Sequence, residues 1–321
     1  MDILKKLTEE FPSIRQDKAQ NIINLIDEGN TIPFIARYRK EMTGSCDDQV
    51  LREFNDRLTY LRNLEKRKEE VTKSITEQGK MTDEIAKALD AALTLTEVED
   101  IYRPYKQKKK TRASVAIERG LQPLADFILA QDKNADVMAE AQKYIDEEKG
   151  VATAEDAIAG AKDIIAEIVS DDANVRKKLR NLFMKNGEIE TRLVNADKDE
   201  AKVYEMYADY SENIAEIKSH RVLAVNRGEK EGFLKVRICF NDEIAKRIAG
   251  AGYLKDGGYS TQLVKEAVED SYDRLIFPSI EREIRASLTE AASEQAIKMF
   301  EVNLKPLLMQ PPVKDKITLG L

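Results

Sequence analysis

Apolar side chains recur every three or four positions along the first 186 residues, the spacing of amphipathic helices. Residues 2–28 predict two short helices parted by Phe11-Pro12-Ser13, with Ile3, Leu4 and Leu7 facing Ile22, Ile23 and Ile26. Gly29-Asn30 ends the second, and Thr31 with Pro33 opens a third. That arrangement is compatible with a helix-turn-helix and equally with any small helical bundle. From Ser45 or Asp47 to Gln78, with Gly79 as its stop, Leu51, Phe54, Leu58, Leu61, Leu64, Val71 and Ile75 form one stripe. At ~1.5 Å per residue this helix spans roughly 48 Å. Its middle, residues 62–70, is almost wholly charged and reads as an exposed strut between packed regions. Residues 81–93, capped by Thr82, and residues 121–130, 135–145 and 154–185 are helical by period and alanine content, the last opened by Thr153-Ala-Glu-Asp156.

The period changes after Gly187. Residues 188–194, 221–226 and 233–240 predict strands, and residues 227–232, with two glycines, predict the hairpin loop joining the last two. Asp242 caps a following helix, residues 250–258 form a glycine-containing loop, and residues 262–276 return to helix. Ser279 caps a long final helix with Ile280, Ile284, Leu288, Ile297, Phe300 and Leu304 along one side. The expected fold class is therefore mainly α: multi-helical, with a helix-turn-helix-like N-terminal part, one long central helix and a small inserted β-hairpin element. Five segments follow: 1–45, N-terminal helical; 46–187, the long helix and a helical bundle with a basic loop at 102–112; 188–258, a small α/β element with the hairpin; 259–305, C-terminal helices; and 306–321, a linker and strand.

Composition narrows the chemistry. His220 is the only histidine, which removes most zinc sites and every mechanism built on a Ser-His-Asp or Cys-His pair. Carboxylates adjacent in sequence, Asp47-Asp48 and Asp171-Asp172, point apart and do not make a two-metal site. Gly250, Gly252, Gly257 and Gly258 match neither a dinucleotide fingerprint nor a phosphate-binding loop. The expectation is a non-enzymatic, metal-free chain with no cofactor and no small-molecule substrate. Cys46 and Cys239 are far apart, and no apolar run approaches the ~18 residues of a membrane span, so a cytoplasmic location away from membranes is expected.

The net charge of −7 makes two basic stretches conspicuous. Residues 103–112 hold Arg103, Lys106, Lys108, Lys109, Lys110 and Arg112 with no acid, and Tyr102 and Tyr105 flank the first cations. Clustered cations displace counterions from a phosphate backbone, and tyrosine faces stack single-stranded bases. Two other readings remain open: a solvated loop, or a loop anchored by its tyrosines with its lysines paired to the acidic strut at Glu65, Glu69 and Glu70. Residues 31–44 are the second stretch, with Arg37, Arg39 and Lys40 as candidate phosphate contacts. The competing role is structural, with Arg37 or Arg39 in a salt bridge and Phe34 and Tyr38 in the core. Arg227, in the stretch Asn226-Arg-Gly-Glu229, is a further cation in reach of a phosphate.

Three of these stretches carry a resemblance. Ile32 to Lys40 (Ile-Pro-Phe-Ile-Ala-Arg-Tyr-Arg-Lys), residues 101–112 and Asn226-Arg-Gly-Glu229 together resemble the N-terminal region of the Tex family of bacterial transcription accessory proteins, over nearly the whole chain. The resemblance implies nucleic-acid binding, to RNA or DNA, connected with transcription, and RNA polymerase or other transcription proteins as partners. It also implies that a resolvase-like RNase H domain begins near residues 316–321, ahead of helix-hairpin-helix and OB-type RNA-binding domains, so the chain reads as a truncated N-terminal scaffold module. The rival reading is a protein–protein scaffold that docks on those domains or on the transcription machinery.

Overall fold

Backbone hydrogen bonding in this protein is dominated by helices: a computed structural model, which describes residues 2–107, 110–195, 197–255 and 258–310, is 71% helical, with 16 α-helices among the described residues. The chain divides into two units, Met1–Gln107 and Lys108–Leu321.

The first unit holds α1 (Ile3–Glu10), α2 (Gln16–Asp27), α3 (Ile32–Tyr38), α4 (Lys40–Thr43), α5 (Asp48–Glu77), α6 (Asp83–Ala91) and α7 (Leu95–Tyr102). Asp47 caps α5 by accepting from the Val50 amide at 2.8 Å, as its position in the sequence requires. All seven apolar residues of the α5 stripe are 0–1% exposed. Leu51, Phe54, Leu58 and Leu61 pack with Leu7, Ile22, Ile23, Leu25 and Ile35, while Leu64, Val71 and Ile75 pack with Leu89 and Val98. Each such side chain stabilises the unit by roughly 1.5–3 kcal/mol. The charged middle of α5 differs from the expected exposed strut. Leu64 and Lys68 are buried there, and the Lys68 ammonium donates to the Asp90 carbonyl at 3.0 Å.

The second unit holds α8 (Arg112–Glu118), α9 (Gln122–Ala130), α10 (Val137–Ala141), α11 (Ala154–Asp171), α12 (Ala173–Asn186), α13 (Ser219–Lys230), α14 (Asp242–Gly250), α15 (Tyr259–Asp270) and α16 (Phe277–Leu308), with three strands, β1 (Glu188–Leu193), β2 (Asp209–Asn213) and β3 (Leu234–Cys239). Helix α11 is its centre and packs against α8, α9, α10, α12 and α15. Asp172 separates α11 from α12 by accepting from the amides of Asn174 and Val175, the cap between two helical segments that its place in the sequence suggests. Arg176, fully buried on α12, donates to Ser279 at 3.1 Å and to Glu283, which also takes Arg180 at 2.8 Å. Burial pushes the Glu283 carboxyl up, but the two guanidiniums and Ser279 leave it below the usual carboxylate range.

The sheet has the order β2-β1-β3, antiparallel throughout, with Thr191 opposite Tyr210 on one side and Val236 on the other. It is three-stranded rather than a simple hairpin, because residues 221–226 are not a strand. They lie in α13, whose buried positions Val222, Val225 and Gly228 follow helical spacing. Packing against α16 overrides the β preference of the valines, reinforced by Asn226 donating to Thr289 at 2.9 Å and Arg285 to Glu229 at 3.0 Å. Of the two glycines assigned to a hairpin loop, only Gly232 turns the chain, at φ +79°. Gly228 instead lets the helix approach the sheet: a Cβ there would stand 2.6 Å from Leu234 Cδ1 and 2.9 Å from Tyr204 Cδ1.

Two helix starts also differ from expectation. Asn241, not Asp242, caps α14. Ser279 caps nothing, because a π-helical segment, Ser271–Ile276, joins α15 to α16 without a break and Pro278 falls in the first turn of α16. Ile280, Ile284 and Ala292 of α16 are buried, whereas Ile297 and Phe300 are 68% and 66% exposed, so the apolar side expected of this helix is covered along only half its length.

The Gly228 contacts set a test. Gly228→Ala gains about 1 kcal/mol of helix propensity but forces buried Leu234 and Tyr204 aside, an overpacking cost of roughly 1–3 kcal/mol. The expected outcome is a lower denaturant midpoint with an unchanged slope in urea unfolding; a raised midpoint would show that α13 has room to spare.

Candidate nucleic-acid interface

Helix α3 positions the first group of candidate cations. Thr31 precedes it, Pro33 occupies its first turn, and Ile35 anchors it with no exposed surface while Ile32 and Ala36 pack beside. The register that buries Ile35 turns Arg37, Tyr38, Arg39 and Lys40 outward, and all four are exposed. Tyr38, expected in the core, is 67% exposed and its ring lies 5.2 Å from that of Phe34, one turn earlier. The Arg39 guanidinium stands 5.4 Å from the Phe34 ring centroid, a cation–π contact. The expected salt bridge from Arg37 or Arg39 is not formed: among the described residues neither they nor Lys40 pair with a carboxylate. Short helix α4 is held from below by Lys18, which donates to the Glu41 carbonyl at 2.7 Å, and Asn21, which donates to that of Met42.

Other arginines of this unit are engaged. Arg57 grips Glu10 through two hydrogen bonds of 2.5 and 2.7 Å, and Arg62 grips Asp27 at 2.6 and 2.8 Å. Arg67 spans Glu99 at 2.6 Å and Glu70 at 3.0 Å, and Lys68 takes Glu65 at 3.1 Å. Glu65 and Glu70, offered as docking points for the basic loop, are therefore already occupied by cations of α5 itself.

The second group straddles the division between the units. On its near side Tyr102 is not available for stacking: its hydroxyl hydrogen-bonds Ser74 at 3.0 Å and the Arg67 guanidinium sits 5.5 Å from its ring centroid. Tyr105 is partly buried against the Leu64–Val71–Ile75 cluster, and its carbonyl accepts from Gln78 at 2.9 Å. Arg103 is half-buried and Lys106 exposed. Lys108 and Lys109 lie outside the described residues. On the far side Lys110 is exposed, and Thr111 and Ser114 form a reciprocal cap that starts α8 at Arg112. Arg112 is exposed but acts on nearby acids. Burial pushes the Asp163 carboxyl up against the pull of Arg274 and Arg112, and the Arg274 hydrogen bond, helped by Arg112, holds Asp270 below its usual range.

Arg227, on α13, hydrogen-bonds the Tyr204 hydroxyl at 3.1 Å and reaches Glu231 at 3.8 Å, so it is a paired surface cation. No cluster of three or more metal-ligating residues occurs among the described residues, nor any helix long and apolar enough to cross a membrane.

Comparison with known proteins supplies the context. The description "Tex central region-like" matches residues 132–300, more than half of the chain, and "Tex-like protein N-terminal domain" matches residues 1–76. The chain belongs to the Tex family. It is 48% identical to the Bacillus subtilis protein named YdcI over 99% of this chain and 45% of that protein. It is 39% identical to the transcriptional accessory protein Tex of Neisseria gonorrhoeae over all of this chain and 43% of that one. The human S1 RNA-binding domain-containing protein 1 is 31% identical over 100% of this chain and 33% of its own. The chain thus spans less than half the length of these relatives. Within this Tex chain the exposed cations Arg37, Arg39 and Lys40 fall inside a matched stretch, whereas the basic segment 103–112 falls between the two.

The ion pairs of α5 predict an acid limb. Hydrogen bonds from Arg57 and Arg62 lower the carboxyls of Glu10 and Asp27 from their ordinary values of 4.5 and 3.8. A carboxyl lowered in the folded state contributes stability that is complete above its unfolded value and lost as pH falls through the folded one. The thermal midpoint should therefore drop as pH falls below about 4.5. An Arg57→Gln/Arg62→Gln variant should be less stable at neutral pH and show a flatter drop; an equally steep limb would assign it to other groups.

Proposed function

We propose that this chain is a non-catalytic scaffold module that binds the backbone of RNA or DNA without reading sequence, in connection with transcription in the cytoplasm. The observation that carries the reading is the division of charge in the first unit. Arg15, Arg52, Arg57, Arg62 and Arg67 are ion-paired, while Arg37, Arg39 and Lys40 project from one short stretch without a carboxylate partner among the described residues. Unpaired, exposed cations bind phosphates by releasing counterions and carry no base preference. Exposed Lys106 and Lys110 are further candidates for phosphate contact, with Arg103, Tyr105, Lys108, Lys109 and Arg112. The names of the relatives, a transcriptional accessory protein and an S1 RNA-binding domain protein, support a nucleic-acid or transcription partner such as RNA polymerase.

A second reading, a protein-interaction scaffold, is favoured by the exposed apolar turns of α16, where Ile297, Phe300, Leu307 and Leu308 meet solvent. Fluorescence anisotropy separates the two. Labelled single-stranded RNA and duplex DNA are titrated at several salt concentrations with the wild-type chain and with Arg37→Ala/Arg39→Ala/Lys40→Ala and Lys106→Ala/Lys110→Ala variants. Weak wild-type binding is expected, with a log–log salt slope that falls by roughly 0.7–0.9 for each phosphate contact removed. An absence of binding at low salt would leave the protein-interaction reading.

A further inference from the structure

From the lining of one cavity we propose that the end of β3 and the π-helical segment Ser271–Ile276 hold an arginine side chain presented by a basic segment of a protein partner. The cavity measures about 530 Å³, the size of a small-ligand site. Its residues all belong to the second unit, and the inference stands whether or not the first unit binds nucleic acid.

Three observations meet here. The lining is partly aromatic: Phe240 follows β3, Phe277 opens α16, and Tyr272 belongs to the π-helical segment. The Tyr272 and Phe277 ring centroids are 5.8 Å apart, and Phe183 packs against Phe240 and Phe277 at 5.2 and 5.9 Å, so the rings are fixed in place. The charge, secondly, is unbalanced. Glu190, Asp242, Asp273 and Glu281 line the cavity against one cation, Arg237. Arg237 is spent on Glu190 at 2.7 and 3.0 Å, and Lys246, from outside the lining, takes Asp273 at 2.8 Å. Asp242 and Glu281 have only neutral donors, the Tyr272 hydroxyl at 2.9 Å and the Ile238 amide at 2.8 Å, and no cation pairs with either among the described residues. Burial pushes the Cys239 thiol up to about 11, with Glu190 and Glu281 acting the same way, so it lines the cavity uncharged at neutral pH. Thirdly, the π-helical turn is an uncommon backbone that recurs at functional sites, and here it brings Tyr272 and Asp273 to the cavity.

Fixed rings beside two carboxylates without cationic partners suit a guanidinium. Its flat face stacks on aromatic rings while its five N–H donors serve more than one carboxylate, which the compact, strongly hydrated ammonium of lysine does less well. An apolar anchor would desolvate Asp242 and Glu281 and leave them uncompensated. A phosphate backbone would be repelled by the same charges. A bare metal ion does not fit, because no three metal-ligating side chains converge among the described residues. Arginine is also among the residues that most often anchor protein interfaces, which makes a basic protein segment the partner.

The chain has no tryptophan, so a glycine–serine peptide carrying one tryptophan and several arginines reports its own binding to the full chain by fluorescence. At about 0.15 M salt the arginine peptide should bind, and its citrulline counterpart, neutral and of nearly the same shape, should bind at least about tenfold more weakly. Asp242→Asn/Glu281→Gln keeps an acceptor for Tyr272 and for Ile238 and should likewise weaken the arginine peptide about tenfold or more. Glu290→Gln/Glu294→Gln, which removes two exposed acids further along α16, should leave it within about twofold. Circular dichroism shows that each variant is folded. No binding by the wild-type chain, equal binding of the citrulline peptide, or equal effects of the two double variants overturns the arginine pocket, the last by assigning the peptide to the acidic surface at large. Tighter binding of spermidine than of the arginine peptide, read by competition, would make a free polyamine the occupant and overturn the protein partner.

Discussion

Seven apolar side chains along one face of α5 hold the first unit together, and the placement of its candidate binding residues depends on that stripe. Because the stripe is continuous from Leu51 to Ile75, α1, α2 and α3 pack near one end and α6 and α7 near the other. The polar faces then lie within reach of distant acids, and Arg57, Arg62 and Arg67 close onto Glu10, Asp27 and Glu99. Exposed pairs of this kind contribute only about 0–1 kcal/mol each, so their larger effect is on the local surface potential: they neutralise the three guanidinium groups. Cations outside their reach keep their charge, and Arg37, Arg39 and Lys40 are among them.

The second unit solves a different problem. Its centre, α11, packs against five other helices through a buried face of alanine, isoleucine and valine, and polar demands around it are met by buried networks. Arg176 with Ser279 and Glu283 is one, and Gln131 bridging the Tyr253 carbonyl and the Lys255 amide is another. A buried guanidinium without its carboxylate would cost several kcal/mol, which makes such networks fix one packing of α12 against α16.

What could be read from the sequence follows the range of the interaction concerned. The stripe of α5 depends on neighbours three and four residues away and is legible in full. Helix α7 is not among the predicted elements, although Thr94 and Glu97 have the spacing of a capping box: the Thr94 side chain accepts from the Glu97 amide, while Glu97 accepts from the amide of Leu93, one residue ahead of the cap. Residues 221–226 mislead because Val-Leu-Ala-Val suits a strand, and because a glycine that admits a close neighbour looks the same in sequence as one that turns the chain. At the candidate site the identity of the cations is legible, but which of them stay unpaired is not. The partners of Arg57, Arg62 and Arg67 lie 47, 35 and 32 positions away. The reading of Tyr38 as a core residue, one of two left open by the sequence, misleads for a related reason: ring and spacing fit burial, but Ile35 takes the buried position.

The π-helical bridge between α15 and α16 has a thermodynamic consequence for the exposed turns beyond Ala292. A helix of that length standing alone in water would be marginal, because forming its first turn fixes several residues for one hydrogen bond. Here that nucleus already exists in the packed turns, and the rod from Tyr259 to Leu308 extends roughly 75 Å by propagation alone. Its order therefore decays from Leu308 inward, one bond at a time, and the reach of its apolar side chains varies with temperature while the packed half holds still.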